Sequence, residues 1–182
     1  FKMISEKNLA RFAGFCYLVV IATGMFSEIF VRQALRVAND ALATAHNIQT
    51  NEMLFRWGFV ADLINFVVGL PVVMILYHFF KRSNKILLQI ALAFVIIQTA
   101  IIAVNLLNQV SPLLILSNDA YLNTFQENQL ATLSLLFLNI QSQGYAIGLV
   151  FFGFYCILIG YVIYRTNAIP QIIGLLYAIA GF

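Results

Sequence analysis

The sequence predicts an all-α membrane protein, a polytopic bundle of about five transmembrane helices with two short amphipathic helical caps on its outer side. Of its 182 residues, 62% are hydrophobic and 9% are charged, whereas an ordinary soluble domain is roughly 25% charged. So few charges could not cover the apolar core of a soluble domain. The apolar residues occur in long blocks, and they lack the alternation of polar and apolar positions that is typical of transmembrane β-strands.

Five apolar blocks are the predicted transmembrane helices. An α-helix crosses the hydrocarbon layer in about 20 apolar residues, and the first four blocks reach that length. The fifth is still apolar at Phe182 but is shorter, so we expect that this span is incomplete or that the natural protein continues. The predicted helices of this single transmembrane domain, residues 1–182, cover residues 12–31, 57–80, 86–108, 144–164 and 169–182.

The lysines and arginines predict how the chain is threaded, because cytoplasmic loops of membrane proteins carry an excess of these residues. Most of the 10 lie at the ends of segments that alternate across the bilayer. One side has Lys2, Lys7, Arg11, Lys81, Arg82, Lys85 and Arg165. The other side has Arg32, Arg36 and Arg56. This bias predicts a cytoplasmic N-terminus, and it assigns the basic residues to orientation rather than to nucleic-acid binding.

Both outer connections have the pattern of helical caps. Asp40 precedes an Ala-rich stretch and predicts an N-capped helix within residues 39–50. Thr124 and Glu127 fit a capping box at the start of a second, very apolar cap, residues 125–142. The second cap could instead extend the fourth helix outward.

Polar residues are concentrated in the predicted outer half of the bundle. Asp62 lies six residues past Arg56, so it is about 9 Å below the outer interface. A carboxylate at that depth normally faces protein or water. The candidate residues for a ligand pocket or polar network are Glu28, Arg32, Arg56, Asp62, Asn65, Asn105, Asn108, Asn139, Gln141 and Gln143.

Two interpretations of this polar group remain open. It could form a polar pocket that faces outward between the helices, or it could be a hydrogen-bond network that joins the helices, as polar residues in membranes often do. Arg56 or Arg32 is expected to pair with Glu28 or Asp62. Arg32 follows Glu28 by four residues, the spacing at which helical side chains are neighbours.

Small residues on the fourth predicted helix mark a packing surface. Gly144 and Gly148 form a Gly-x-x-x-Gly pair, and Gly153 and Gly160 are seven residues apart. Glycines let helices approach closely in membranes. We expect this surface to pack within the chain first, with self-association as the second interpretation.

No motif in the sequence predicts a metal site, a cofactor or a catalytic residue. His46 lies in the first cap and His78 lies near the inner end of the second helix, so they are predicted on opposite sides of the membrane. The sequence contains no His-Glu-x-x-His, Cys-x-x-Cys or Gly-x-Ser-x-Gly motif.

Five stretches resemble a known family. They are LFRWGFVADLI (54–64), VNLLN (104–108), GLVFFGFYC (148–156), YR (164–165) and IPQIIG (169–174). In these stretches the chain is similar to bacterial multi-pass membrane proteins of the family called domain of unknown function 4386. The resemblance implies a small helical protein of the bacterial cytoplasmic (inner) membrane, usually with one further helix, so we expect six or more spans in the full-length protein. It implies no activity, so it assigns no catalytic residue.

These observations leave three functional hypotheses. The first is a protein that binds or transports a small amphipathic or lipid-like ligand from the outer leaflet. The second is a non-catalytic structural or accessory subunit, alone, as a homo-oligomer or in a larger membrane complex. The third is an intramembrane enzyme with Asp62 and Glu28 as a carboxylate pair, for which no nucleophile or base-orienting partner is evident. Membrane lipids are partners in all three.

Overall fold

The computed structural model describes residues 5–166 and 170–181, and within these ranges every regular element is helical. A π-helical segment, Phe26–Arg32, lies inside the first helix. The helices are α1 (Glu6–Leu35), α2 (Ala41–Thr50), α3 (Glu52–Phe80), α4 (Lys85–Ser117), α5 (Asp119–Leu122), α6 (Glu127–Thr166) and α7 (Gln171–Ile179).

Four of these helices are long and apolar enough to cross a membrane. They are α1 with 30 residues, α3 with 29, α4 with 33 and α6 with 40. The all-α helical bundle predicted from the sequence is confirmed, and the chain is a membrane protein. The fifth predicted span corresponds to the short helix α7, and its predicted ends at residues 169 and 182 lie outside the described residues.

One helix, α6, includes both the predicted cap, residues 125–142, and the predicted span, residues 144–164. The alternative prediction, in which the second cap extends the fourth helix outward, is therefore confirmed. Gly144 does not interrupt α6, because at this point the helix packs closely on the side chain of Asn105. At 1.5 Å per residue α6 is about 60 Å long, which is about twice the thickness of the hydrocarbon layer.

The third predicted span also continues further than its sequence pattern indicated. The helix α4 ends at Ser117 rather than near Asn108, and it contains Pro112. Pro112 is buried. Packing of this segment therefore outweighs the loss of one backbone hydrogen bond at the proline.

The helix caps agree with the sequence in one case and correct it in the other. Asp40 caps α2, where its Oδ1 accepts a hydrogen bond from the Ala43 amide at 2.9 Å. The capping box predicted at Thr124 and Glu127 is wrong. Instead, the Gln126 amide donates to Oε1 of Gln129 at 3.0 Å. In a capping box this is the bond between the N-cap backbone amide and the side chain three residues later.

The chain forms two compact units. The first unit comprises residues 1–17, 68–102 and 145–182, as far as they are described, and the second comprises residues 18–67 and 103–144. The apolar core of the first unit includes Leu88, Val95, Tyr155 and Ile159. The apolar core of the second unit joins α1, α2, α3, α4 and α6, with members such as Val31, Ile48, Phe55, Leu113 and Leu138.

Candidate functional site

An ion-paired triad of Glu28, Arg32 and Asp62 lies in the second unit. Arg32 Nε donates to Glu28 Oε2 at 2.7 Å, and Arg32 Nη1 donates to Asp62 Oδ2 at 2.8 Å. The exposed fractions of the side chains are 7% for Asp62, 19% for Arg32 and 47% for Glu28. Arg32 therefore pairs with both carboxylates, whereas Arg56 pairs with Glu52 at 2.6 Å.

The π-helical segment of α1 positions this triad. In a π-helix, residues five apart are hydrogen-bonded neighbours, and the Gln33 backbone amide donates to the Glu28 carbonyl. Their side chains meet as well, because Gln33 Nε2 donates to Glu28 Oε1 at 3.3 Å. The same segment approaches α3 closely at Gly58, whose carbonyl accepts a hydrogen bond from Ser27 Oγ at 3.3 Å. A Cβ atom at Gly58 would lie 2.6 Å from Val31 Cγ1. Glycine at this position therefore allows the contact that brings Asp62 to Arg32.

Asn65 makes a second link between α1 and α3. Its Nδ2 donates to the Val20 carbonyl at 2.6 Å and to Thr23 Oγ1 at 3.2 Å. The Val20 carbonyl is a main-chain group of α1, and the Asn65 amide is a side-chain group of α3, so this bond joins the two helices. Such a contact has the geometry of a helix-joining bond rather than of an open ligand site.

Asn105 lies in a different polar group, on α4 and α6. Its Nδ2 donates to the Gln141 carbonyl at 2.6 Å, and its Oδ1 accepts from Asn108 Nδ2 at 2.9 Å. The structure thus brings Glu28, Arg32 and Asp62 into contact, while Asn105 bonds to the α6 backbone. A Cβ atom at Gly144 would lie 2.5 Å from Asn105 Oδ1, which explains the close approach of α4 and α6.

Arg36 makes polar contacts to α6, although its sequence position did not mark it as a candidate site residue. Its guanidinium donates to Asn139 Oδ1 and to Ser142 Oγ. Asn139 and Ser142 are three residues apart on α6, a spacing that marks one helix face. Gln141 is buried and Gln143 is exposed.

The space beside this polar group is small. A cavity of about 20 Å³ is lined by Arg32, Arg36, Gln141 and neighbouring apolar side chains. A volume of this size accommodates about one water molecule. It cannot hold an organic ligand.

Two further buried polar side chains were not predicted. Gln109 on α4 and Ser134 on α6 are both fully buried. Among the described residues, neither side chain has a hydrogen-bond partner. Ser134 lies between Leu133 and Leu135, so only its isolation in an apolar run could have indicated it. Gln109 directly follows the candidate Asn108, so its place in a polar stretch of the sequence was the available signal.

Two neighbouring cavities lie in the second unit between α2, α4, α5 and α6, and together we call them the two parts of the cap cleft. One part has a volume of about 280 Å³ and the other about 330 Å³, and Phe125 and Leu130 line both parts. The first part is also lined by His46, Gln49 and Glu127. The second part is lined mainly by apolar side chains, with Ser111 and Tyr121 as polar ones.

The glycines of α6 pack against helices of the same chain. A Cβ atom at Gly153 would lie 2.6 Å from the Gly181 carbonyl oxygen. One at Gly160 would lie 2.6 Å from the Gly174 carbonyl oxygen, and one at Gly148 would lie 2.7 Å from Ile102. These contacts give the predicted packing surface an internal partner.

The profile of a family described as a domain of unknown function (DUF4386) matches residues 12–182. The chain belongs to this family. No curated protein and no solved structure matches the chain. The description of the DUF4386 family gives no activity, so the function of this member has to be argued from its own residues.

In this DUF4386 protein, no group of three or more histidines, cysteines, aspartates or glutamates within the described ranges could hold a metal ion. His46 lines the cap cleft. His78 lies at the end of α3, where its Nδ1 is 3.4 Å from Lys81 Nζ. Among the described residues, neither histidine therefore belongs to a set of side chains that could ligate a metal ion.

Proposed function

We propose that this membrane protein binds a small amphipathic or lipid-like molecule in the cap cleft. The observation that carries the proposal is the chemistry of the two neighbouring parts of the cleft, one partly polar and one mostly apolar, which share Phe125 and Leu130 in their linings. Pockets for small molecules typically measure about 300–1,000 Å³ and combine apolar walls with a few polar groups. The ion-paired triad then has a structural role, joining α1 to α3.

The lining of the cap cleft favours a ligand with a hydrogen-bonding or cationic head. Glu127 supplies a carboxylate, while His46 and Gln49 supply hydrogen-bonding groups. Leu133 and Phe137 in the other part offer apolar surface for a tail. An amphipathic molecule would bury its apolar tail there and keep its polar head solvated or paired, so no polar group would be buried without a partner.

The position of the cap cleft along α4 supports entry of this ligand from the outer membrane surface. The cytoplasmic end of α4 is predicted at Lys85, and a helix crosses the hydrocarbon layer in about 20 residues. Ser111 and Leu116, which line the cleft, come later than that in the same helix. We therefore propose that the cleft takes its ligand at the outer leaflet.

Binding of a dansyl-labelled dodecylammonium probe to the purified chain in nanodiscs tests this function. Phe125 is 41% exposed, and full burial of a phenylalanine contributes about 1.5–3 kcal/mol. Completing that burial with the probe is worth on the order of 1 kcal/mol, so Phe125→Ala should weaken binding about fivefold. Glu127→Gln should weaken binding of this cationic probe but not of a neutral dansyl amphipath.

The control is Leu136→Ala, which removes a 49% exposed leucine of α6 that is not part of the cleft lining. This variant should bind like the parent. Unsaturable binding, or equal losses in Phe125→Ala and Leu136→Ala, would reject the cleft as the site. Stoichiometric copurification with another membrane protein, without probe binding, would favour an accessory subunit instead.

A further inference from the structure

The first unit contains a separate apolar groove, which we call the first-unit groove. Its volume is about 550 Å³. Residues of α1, α3, α6 and α7 line it, including Ala10, Gly14, Tyr17, Ile75, Phe79 and Tyr177. A Cβ atom at Gly14 would meet no heavy atom of another described part of the chain within 4 Å. The absence of a side chain at Gly14 therefore leaves space that the described residues do not fill.

The groove continues toward a cationic end of the helices. Lys7 precedes Ala10 by three residues and Gly14 by seven, so all three lie on one face of α1. Lys7 and Arg11 are exposed, and so are Lys81 and Arg165, which lie at the ends of α3 and α6.

The groove and the helical turn that leads to it together match one leaflet. The groove lining on α1 runs from Ala10 to Tyr17, about 10 Å of helix. With the turn between Lys7 and Ala10 the length is about 15 Å, half of the roughly 30 Å hydrocarbon layer. An acyl chain entering at the Lys7 end would therefore lie on the apolar lining over most of the depth of a leaflet.

We infer that the first-unit groove binds one acyl chain of an anionic phospholipid, with the phosphate of its head group at Lys7. Anionic head groups are attracted to clustered lysines and arginines beside membrane helices. The positive-inside pattern predicts that this lipid belongs to the cytoplasmic leaflet. The site is distinct from the cap cleft and does not depend on it.

A second copy of the chain fits the groove less well than a lipid. Two copies in one membrane share their orientation, so a symmetric contact through this groove would bring the same cationic ends together. Like charges at such a contact are repulsive, whereas an anionic lipid neutralises them. The charge at the groove end therefore selects the lipid.

Native mass spectrometry can test the site on the full chain after release from nanodiscs. The nanodiscs contain equal amounts of phosphatidylglycerol and phosphatidylcholine with the same acyl chains. The parent should retain phosphatidylglycerol in preference to phosphatidylcholine. Gly14→Leu should abolish retention of both lipids, because the added side chain fills the groove. Lys7→Gln should reduce the preference for phosphatidylglycerol about fivefold while retaining some lipid.

Two matched variants control for unspecific effects. Ala22→Leu places the same leucine side chain at an exposed position of α1 outside the groove, and Lys85→Gln removes a cation of α4, a helix that does not line the groove. Both should retain lipid like the parent, and thermal stability in detergent verifies that all four variants fold.

Unchanged lipid retention in folded Gly14→Leu would overturn the inference. So would equal retention of the two phospholipids by the parent. Retention of added oleate in place of phospholipid would assign the groove to a free fatty acid and reject the head-group assignment. A lipid-free dimer disrupted by Gly14→Leu would assign it to a second copy.

Discussion

Substitutions of Asp62 test whether its carboxylate stabilises the fold through the ion-paired triad or has a role in ligand binding. In Asp62→Leu, Arg32 loses the buried carboxylate of its ion pairs and keeps the pair with Glu28, whose side chain is 47% exposed. Removing one partner of a buried ion pair costs roughly 3–5 kcal/mol. Because Arg32 is 19% exposed and keeps one carboxylate, we expect a loss of about 2 kcal/mol. Asp62→Asn keeps a hydrogen-bond acceptor for Arg32 and should lose about 1 kcal/mol.

The double variant Arg32→Met, Asp62→Leu gives the sharpest comparison. It removes the buried charge that Asp62→Leu leaves behind, so it should be more stable than that single variant. Thermal unfolding of the four proteins in one detergent measures the order. At about 2–4 °C per kcal/mol for a chain of this size, Asp62→Leu should lower the Tm by about 4–8 °C.

Two results would contradict this reasoning. A Tm for Asp62→Leu equal to that of the parent would show that the triad does not stabilise the fold. A double variant less stable than Asp62→Leu would show that Arg32 stabilises the fold independently of Asp62 rather than as its partner. If both Asp62 variants fold like the parent yet both lose binding of the cleft probe, Asp62 has a ligand role.

Three further predictions concern threading, packing and helix joining. A cysteine introduced at Ser83, in a chain without its native cysteines, should resist an impermeant thiol reagent in intact cells and react after permeabilisation; reaction in intact cells would reverse the predicted topology. Gly160→Ala should lower the Tm, because its Cβ would lie 2.6 Å from the Gly174 carbonyl oxygen, whereas Gly14→Ala should not, and equal Tm values would reject the close contact. Asn65→Ala should cost about 1 kcal/mol in detergent unfolding, and an Asn65→Ala protein as stable as the parent would show that its bonds to α1 contribute nothing measurable.

The sequence by itself determined the elements that depend on local patterns. Long apolar blocks indicated the membrane helices, Asp40 indicated the start of α2, and the four-residue spacing of Glu28 and Arg32 indicated their ion pair. These features depend on residues within one or two helical turns of each other. Their geometry follows from the helix itself, so a single sequence is sufficient to predict them.

Only the tertiary structure decided which helices share polar contacts. It paired Arg32 with Asp62 and Arg36 with Asn139, and it placed Asn105 against the backbone of α6. It also joined a predicted cap and a predicted span into the single helix α6. In lipid, the apolar faces toward protein and toward the membrane have similar composition, because helix association there depends on close packing and polar bonds rather than on burial from water. Hydrophobic periodicity therefore does not mark the contacting faces, and the partners of these residues are set by shape and hydrogen bonding in three dimensions.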